Sequence, residues 1–234
     1  MIKNTHRKYI LEEKRLPSVT EILAIVAKPY LIPWANRMGL QGVDLGEYNA
    51  EFTGLGTLVH GKIEAYYNNT EFDDTNYPEA MKLKANELFG KFLNWESGRE
   101  IFPIFNELPM ICHRFGGTID AVVEMDGKTT LVDWKTSKEI YPEYFGQLSA
   151  YFYLMRYGKP MIGEPEFHQR VLDTGKRIEQ VAVVQIPKDG EPASRIIPVK
   201  SDEFKVAWEF FSASLKLYNA EKEISKLKSS DKNL

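Results

Sequence analysis

The segment Gly116–Ser137, GGTIDAVVEMDGKTTLVDWKTS, constrains the fold of this chain more than any other stretch. Two apolar, β-branched runs flank the dipeptide Asp126-Gly127, and Asp-Gly between such runs is a strong signal for a two-residue hairpin turn. Asp120 falls on the first strand; Asp133 and Lys135 fall on the second. Side chains two apart on a strand share a face, so Asp133 and Lys135 point one way and Trp134 points the other. An acid on one strand and an acid-x-lysine on its neighbour can then converge on one point. An isolated Asp-x-Lys is equally compatible with a solvated strand end. Leu131 and Val132, however, bring the second strand out of a core just before it places its charge, and like charges gathered there cost free energy unless a cation joins them. On the hairpin alone, a metal site with a lysine beside it and a plain charged strand end both remain open.

Composition narrows the classes. With 234 residues, 43% of them hydrophobic and 27% charged, the chain can bury a sizeable core. No apolar run approaches the ~18–20 residues of a membrane span, and the charged start MIKNTHRKYILEEKR lacks the apolar middle of a signal peptide. The single cysteine, Cys112, forms no internal disulfide and no multi-cysteine cluster; it reads as a small core residue, and the expected setting is cytoplasmic. A net charge of −3 does not advertise a nucleic-acid binder, yet a carboxylate-rich metal site is itself negative until its ion arrives.

The remaining elements follow from caps and periodicity. Ser18 with Glu21 forms a capping box that opens a helix over Val19–Val26. The stretch PYLIPWANRMGL reads as broken helix with core aromatics. In GLGTLVHGKIEAYYNN, Leu58, Val59, Ile63 and Tyr66 recur at helical spacing, and His60 and Glu64, four apart, stack on one side. A second long helix is expected over Pro78–Ser97, then a strand over Phe102–Ile111 carrying Glu107. Pro142 opens the helix EYFGQLSAYFYLMRYG, on which Gln147 and Tyr151 are four apart. Residues Gly163–Arg177 show little periodicity and are expected to be loop. Two strands (Val181–Pro187, Arg195–Val199) and a closing helix (Asp202–Leu227) follow, with the tail SSDKNL frayed. The expected fold class is α/β: one domain over 1–234 with a mainly helical part over 1–100, a mixed central sheet over 101–200, and a C-terminal helix over 201–234.

Residues Gly56–Lys62 match a phosphate-binding P-loop up to its last position, where Ile63 replaces the Ser or Thr that holds magnesium. No apolar strand precedes Gly56, since the approach EYNAEFTG is polar. Nucleotide binding there is not expected.

Taken in order, these pieces resemble the PD-(D/E)xK nucleases, within them the RecB-like exonuclease branch and its stand-alone phage and bacterial members. GTLVHGKIE resembles the histidine motif, Glu107 the preceding strand glutamate, GGTIDAVV the first-aspartate motif, LVDWKTS the acid-x-lysine motif, and QLSAY the Q-x-x-x-Y helix; LPSVTEIL resembles the opening of stand-alone members. The likeness covers about residues 17–155. It excludes the iron–sulfur subgroup, which uses four cysteines. It implies a restriction-endonuclease-like domain and a magnesium- or manganese-dependent DNA exonuclease in recombination, repair or phage DNA metabolism. A same-fold endonuclease or structure-specific nuclease, or a silent nucleic-acid-binding protein, is the alternative.

Under that resemblance Asp120 and Asp133 are carboxylate ligands, His60 adds a nitrogen suited to manganese as well as magnesium, and the backbone carbonyl of Trp134 is a further ligand. Lys135 orients or helps deprotonate water and offsets phosphate charge; Glu107, counted with the catalytic residues and weaker as a metal ligand, acts through water or in an ion pair with a lysine. Glu64 either fixes the histidine tautomer or is a surface acid. Gln147 and Tyr151 touch the DNA backbone or brace Lys135, with core packing open for Tyr151, and Thr136 and Ser137 bind phosphate or simply end a strand. DNA is the expected partner, with a helicase or single-strand annealing protein on another chain and no membrane. Two basic clusters, Arg7/Lys8/Lys14/Arg15 and Arg170/Lys176/Arg177, are candidate DNA tracks or plain solvated surface.

Overall fold

The structure, a computed structural model, describes residues 7–29 and 31–230; the first residues of the charged N-terminus, Tyr30, and the tail expectation from residue 231 onward lie outside them. The element order is β1 (Tyr9–Leu11), β2 (Lys14–Leu16), α1 (Val19–Leu23), α2 (Leu31–Leu40), α3 (Leu45–Asn68), α4 (Glu79–Ser97), β3 (Ile101–Ile111), β4 (Gly116–Met125), β5 (Lys128–Lys135), α5 (Pro142–Tyr157), β6 (Lys159–Pro160), α6 (Pro165–Arg177), β7 (Gln180–Gln185), β8 (Ala193–Pro198) and α7 (Asp202–Ser230). The fold is α/β: a six-stranded sheet in the order β6-β3-β4-β5-β7-β8, with β5 and β7 parallel and every other neighbouring pair antiparallel.

The β4–β5 hairpin forms as its turn dipeptide predicts. Asp126 (φ 52°) and Gly127 (φ 75°) both take positive φ, which matches the right-handed strand twist. Side chains then alternate between two cores. Val122, Leu131, Val181 and Val183 join α1, α5, α6 and α7 on one face, while Ala121, Val132, Trp134, Ala182 and Val184 join α3 and α4 on the other. Trp134 meets Phe92 edge-on at 5.4 Å and Trp95 at 6.2 Å. Helices thus cover both faces, and the strands read as continuous apolar runs.

Three local expectations are corrected. Residues Pro165–Arg177 form a helix, not a loop. Pro165 opens it at a position where a missing N–H costs nothing, and Phe167, Val171, Thr174 and Ile178 face the core at helical spacing with charged residues on the opposite side. The stretch around Pro33 is one helix, because Pro33 sits in its first turn. None of its described residues is buried; Trp34 packs its ring on Tyr48 at 5.8 Å and does not enter the core. Helix α3 starts at Leu45, well before Gly54, because Asp44 caps it by accepting from the Gly46 and Glu47 N–H groups at 2.7 and 3.0 Å. The P-loop-like residues 56–63 lie inside that helix, so their backbone N–H groups form no phosphate-binding loop. Among the described residues no helix is long and apolar enough to cross a membrane.

Gly117 tests the packing beneath the hairpin. A Cβ there would lie 2.6 Å from Tyr151 Cε1 and 3.2 Å from Val19 Cγ2. Gly117→Ala is expected to destabilise by about 1–3 kcal/mol, measured as a lower urea midpoint at unchanged slope; an unchanged midpoint would show that Tyr151 yields at no cost.

Candidate metal centre

Sheet register builds the centre. Asn106 pairs with Ala121 and Leu108 with Ile119; Ala121 pairs with Val132. One step along, Glu107 on β3, Asp120 on β4 and Asp133 on β5 fall side by side in a single rung of the sheet. Past Ala121–Val132 the β4–β5 ladder ends, and side chains take over its hydrogen bonds. Asp120 Oδ2 accepts the Trp134 N–H at 2.9 Å. His60, reaching in from α3, donates from Nε2 to the Trp134 carbonyl at 2.9 Å. A carbonyl only accepts, so the proton is on Nε2 and Nδ1 carries a lone pair. Nδ1 lies 3.5 Å from Asp120 Oδ2. Two lone pairs therefore face each other, a natural seat for a cation.

Glu107 enters the same group. Ligand atoms of His60, Glu107 and Asp120 all lie within 4.8 Å of one another, a set that could hold a metal ion. Glu107 sits in the left-handed region, φ 45°, which costs a non-glycine residue about 1–3 kcal/mol. That backbone kink occurs at the residue in the carboxylate rung.

Electrostatics points the same way. Burial, then Asp120 and Glu64, pushes the Glu107 carboxyl up to about 8. Burial also raises Asp120, against the pull of Lys135 and the Trp134 N–H. Asp133 has no exposed surface, and burial lifts it to about 6 despite Lys135. Lys135 Nζ lies 2.6 Å from Asp133 Oδ2, yet neither Asp133 oxygen has a properly aligned hydrogen-bond donor among the described residues. The contact is a close ion pair that leaves the buried carboxylate short of hydrogen-bond partners. His60 goes the other way: burial, then Lys135, lowers it to about 4, so the imidazole is neutral and able to ligate. Neutral imidazole nitrogen and carboxylate oxygens form a donor set that could hold a metal ion; Asp133, expected as a ligand, lies outside the set of His60, Glu107 and Asp120.

Lys135 is braced from α5. Its ammonium donates to Gln147 Oε1 at 3.2 Å, and Gln147 Nε2 donates to Tyr151 OH at 2.9 Å. Burial opposes its charge, but Asp133 and Asp120 outweigh burial and hold its pKa above the usual lysine value. Tyr144, which sequence reasoning missed, lies with its ring 4.8 Å from Lys135 Nζ. It sits one turn before Gln147 on the same helix, and that i, i+3 spacing was the available signal.

The other expected residues divide. Gln147 and Tyr151 are buried beneath Lys135, and Tyr151 is also part of the core on that face. Trp134 O, expected as a ligand, spends one lone pair on His60. Glu64 makes no hydrogen bond to His60, whose tautomer is set by Trp134 O; it lines a cleft of about 610 Å³ with His60, Glu107 and Asp120. Thr136 and Ser137 line a second cleft of about 460 Å³ with Lys135 and Tyr144. The two clefts share Gly56 and His60 and so adjoin at the histidine. Arg7, Lys8 and Arg15 line a cleft of about 770 Å³, and Arg7 partly offsets the burial that raises Glu107 and Glu64. Lys14 lies on β2. In the other basic cluster, Arg170 covers the Phe105 and Phe167 rings at 5.1 and 5.3 Å, Lys176 pairs with Asp173 at 2.8 Å, and Arg177 turns to Thr174.

No family model matches the chain, and no curated protein matches it. Among solved structures it is similar to the crystal structure of LHK-Exo in complex with dAMP, at 15% identity over 75% of this chain and 85% of that one, with a TM-score of 0.32. The arrangement of this chain's own residues therefore carries the functional reading.

Two outcomes follow. The raised carboxyls hold protons that the unfolded chain would release, so this term favours folding at low pH. It fades as pH rises from the ordinary carboxylate range through about 6 for Asp133 and about 8 for Glu107. In chelator, raising the pH through about 8 should therefore lower the melting temperature of the wild type, and Glu107→Gln should lessen that drop. Ion binding must displace those protons. Manganese affinity, followed by calorimetry in buffers of different ionisation enthalpy, should rise between about pH 6 and about 8 with net proton release; a pH-independent affinity would contradict the assignment.

Proposed function

We propose that the protein is a metal-dependent deoxyribonuclease that hydrolyses phosphodiester bonds from a DNA end, a RecB-like PD-(D/E)xK exonuclease whose 234 residues act as one nuclease domain. The observation that carries the reading is the single rung Glu107–Asp120–Asp133, with neutral His60 on one side and a braced, charged Lys135 on the other. Charge so arranged is costly to a fold that does not use it, and it matches what phosphodiester hydrolysis needs.

His60, Glu107 and Asp120, with Asp133 beside them, would hold a divalent cation. Such an ion supplies Lewis acidity and lowers the pKa of bound water. The remaining work belongs to the chain. Asp120 orients the Trp134 backbone and is oriented by it, so the ligand oxygen cannot swing away. Lys135 sets a positive charge beside the carboxylates, where it would face a phosphate and the attacking water. Gln147 accepts from that ammonium and Tyr151 accepts from Gln147, a chain that fixes the lysine in position without neutralising it. Thr136 and Ser137, in the cleft next to Lys135, offer hydroxyl groups to the DNA backbone. The exonuclease form draws support from the histidine helix and the Gln147–Tyr151 helix occurring together with the rung.

End-labelled linear DNA and closed circles, single- and double-stranded, should separate the outcomes. With manganese or magnesium the wild type should degrade linear DNA alone, and Asp133→Ala or Lys135→Ala should lower the rate at least about 100-fold. Cut circles would move the activity to an endonuclease. Binding without cleavage of any substrate would refute catalysis. Gln147→Leu should leave DNA affinity near the wild-type value while lowering the rate at saturating DNA, because it acts through Lys135.

A further inference from the structure

The C-terminal half of α7 leaves the body of the protein. Its first half buries Phe204, Ala207, Phe211, Ser214 and Leu215; from Asn219 to Lys228 every residue is exposed. At about 1.5 Å per residue that overhang extends roughly 15 Å, and a helix of such length with nothing among the described residues packed against it is marginal in water. Its surface is not polar all round. Leu217, Ile224 and Leu227 are 52, 52 and 67% exposed, and with Ala220 they follow a three-four-three spacing, which is the a and d positions of a heptad. At about 100° per residue this seam lies on the side of the helix opposite Phe211 and Leu215, so it faces away from the core. Val206, 61% exposed, continues the line toward the start of the helix.

The flanking charges identify the occupant. In a parallel two-stranded coil, a g residue meets the e residue five positions later on the partner. The g positions here are Lys216 and Glu223; the e positions are Glu221 and Lys228. Parallel self-pairing sets Lys216 against Glu221 and Glu223 against Lys228, with opposite signs at each contact. Glu223 also meets Lys226 of its own helix at 2.6 Å, so Lys216–Glu221 is the cleaner pair. An antiparallel copy sets e against e and g against g, which brings Glu221 to Glu221 and Glu223 to Glu223 near the middle of the seam. Ile224 at a with Leu227 at d is also the combination that favours two parallel strands.

We infer that the exposed half of α7 pairs in parallel with the same segment of a second copy, giving a two-fold dimer with the two sheets on the outer sides of the coil. Such an interface is isologous and closes on itself. It is independent of the hydrolase reading, and none of its residues lines the metal centre.

Sedimentation velocity on the full chain tests it. The wild type should pass from monomer to dimer as concentration rises. Lys216→Glu sets two like-charge contacts into each dimer and should weaken association about five-fold or more; adding Glu221→Lys should restore it. Ala220→Cys should give a dimer-sized disulfide crosslink under mild oxidation, since d faces d in the parallel form. A protein that stays monomeric at every concentration overturns the inference. So does a charge swap without rescue, or a dimer in which Ala220→Cys does not crosslink.

Discussion

Three carboxylates on one rung of a β-sheet repel one another, and the surrounding structure is arranged to tolerate that repulsion. The rung exists because the Asp126-Gly127 turn fixes the β4–β5 register and the Asn106–Ala121 pairing fixes β3 against β4. A slip of one residue on either side would turn the acids to opposite faces. Helix α3 brings a neutral imidazole from one side of the sheet, and α5 brings the Gln147–Tyr151 brace for Lys135 from the other. Trp134 joins the two sides: its ring anchors β5 in the α3–α4 core while its N–H and carbonyl hold Asp120 and His60.

Function and stability pull against each other in this arrangement. Without a cation the cluster retains protons on Glu107 and Asp133 at pH values where carboxylates are normally ionised. Lys135 offsets part of the charge but aligns poorly with Asp133 as a hydrogen-bond donor. The apolar cores on both faces, closed by residues such as Phe92, Leu148 and Phe211, must offset that strain.

Much of this was legible in the sequence, for identifiable reasons. The hairpin, the sharing of one face by Asp133 and Lys135, and the capping box at Ser18 all depend on local rules of turn chemistry and periodicity, and the structure contains each. Helix α6 was missed although its signal was present: Phe167, Val171, Thr174 and Ile178 recur at three- and four-residue spacing on its core side, amid a strongly charged segment. The β1–β2 hairpin was missed because Glu12 and Glu13 form its turn at φ 49° and 62° without the usual Asn or Gly. The role of the Trp134 backbone as an acceptor for His60, and the closeness of Glu107 to His60 and Asp120, depend on contacts between residues far apart in sequence. Spacing alone cannot provide those.

The reading of the carboxylate rung and His60 as the seat of a divalent cation is open to direct test. Anomalous diffraction at the manganese edge, from crystals grown with manganese, tests it most directly. One strong peak is expected within bonding distance of His60 Nδ1 and of oxygens of Asp120 and Glu107 or Asp133. Full-occupancy manganese found only elsewhere on the chain, with these side chains unmoved and no density between them, would contradict it.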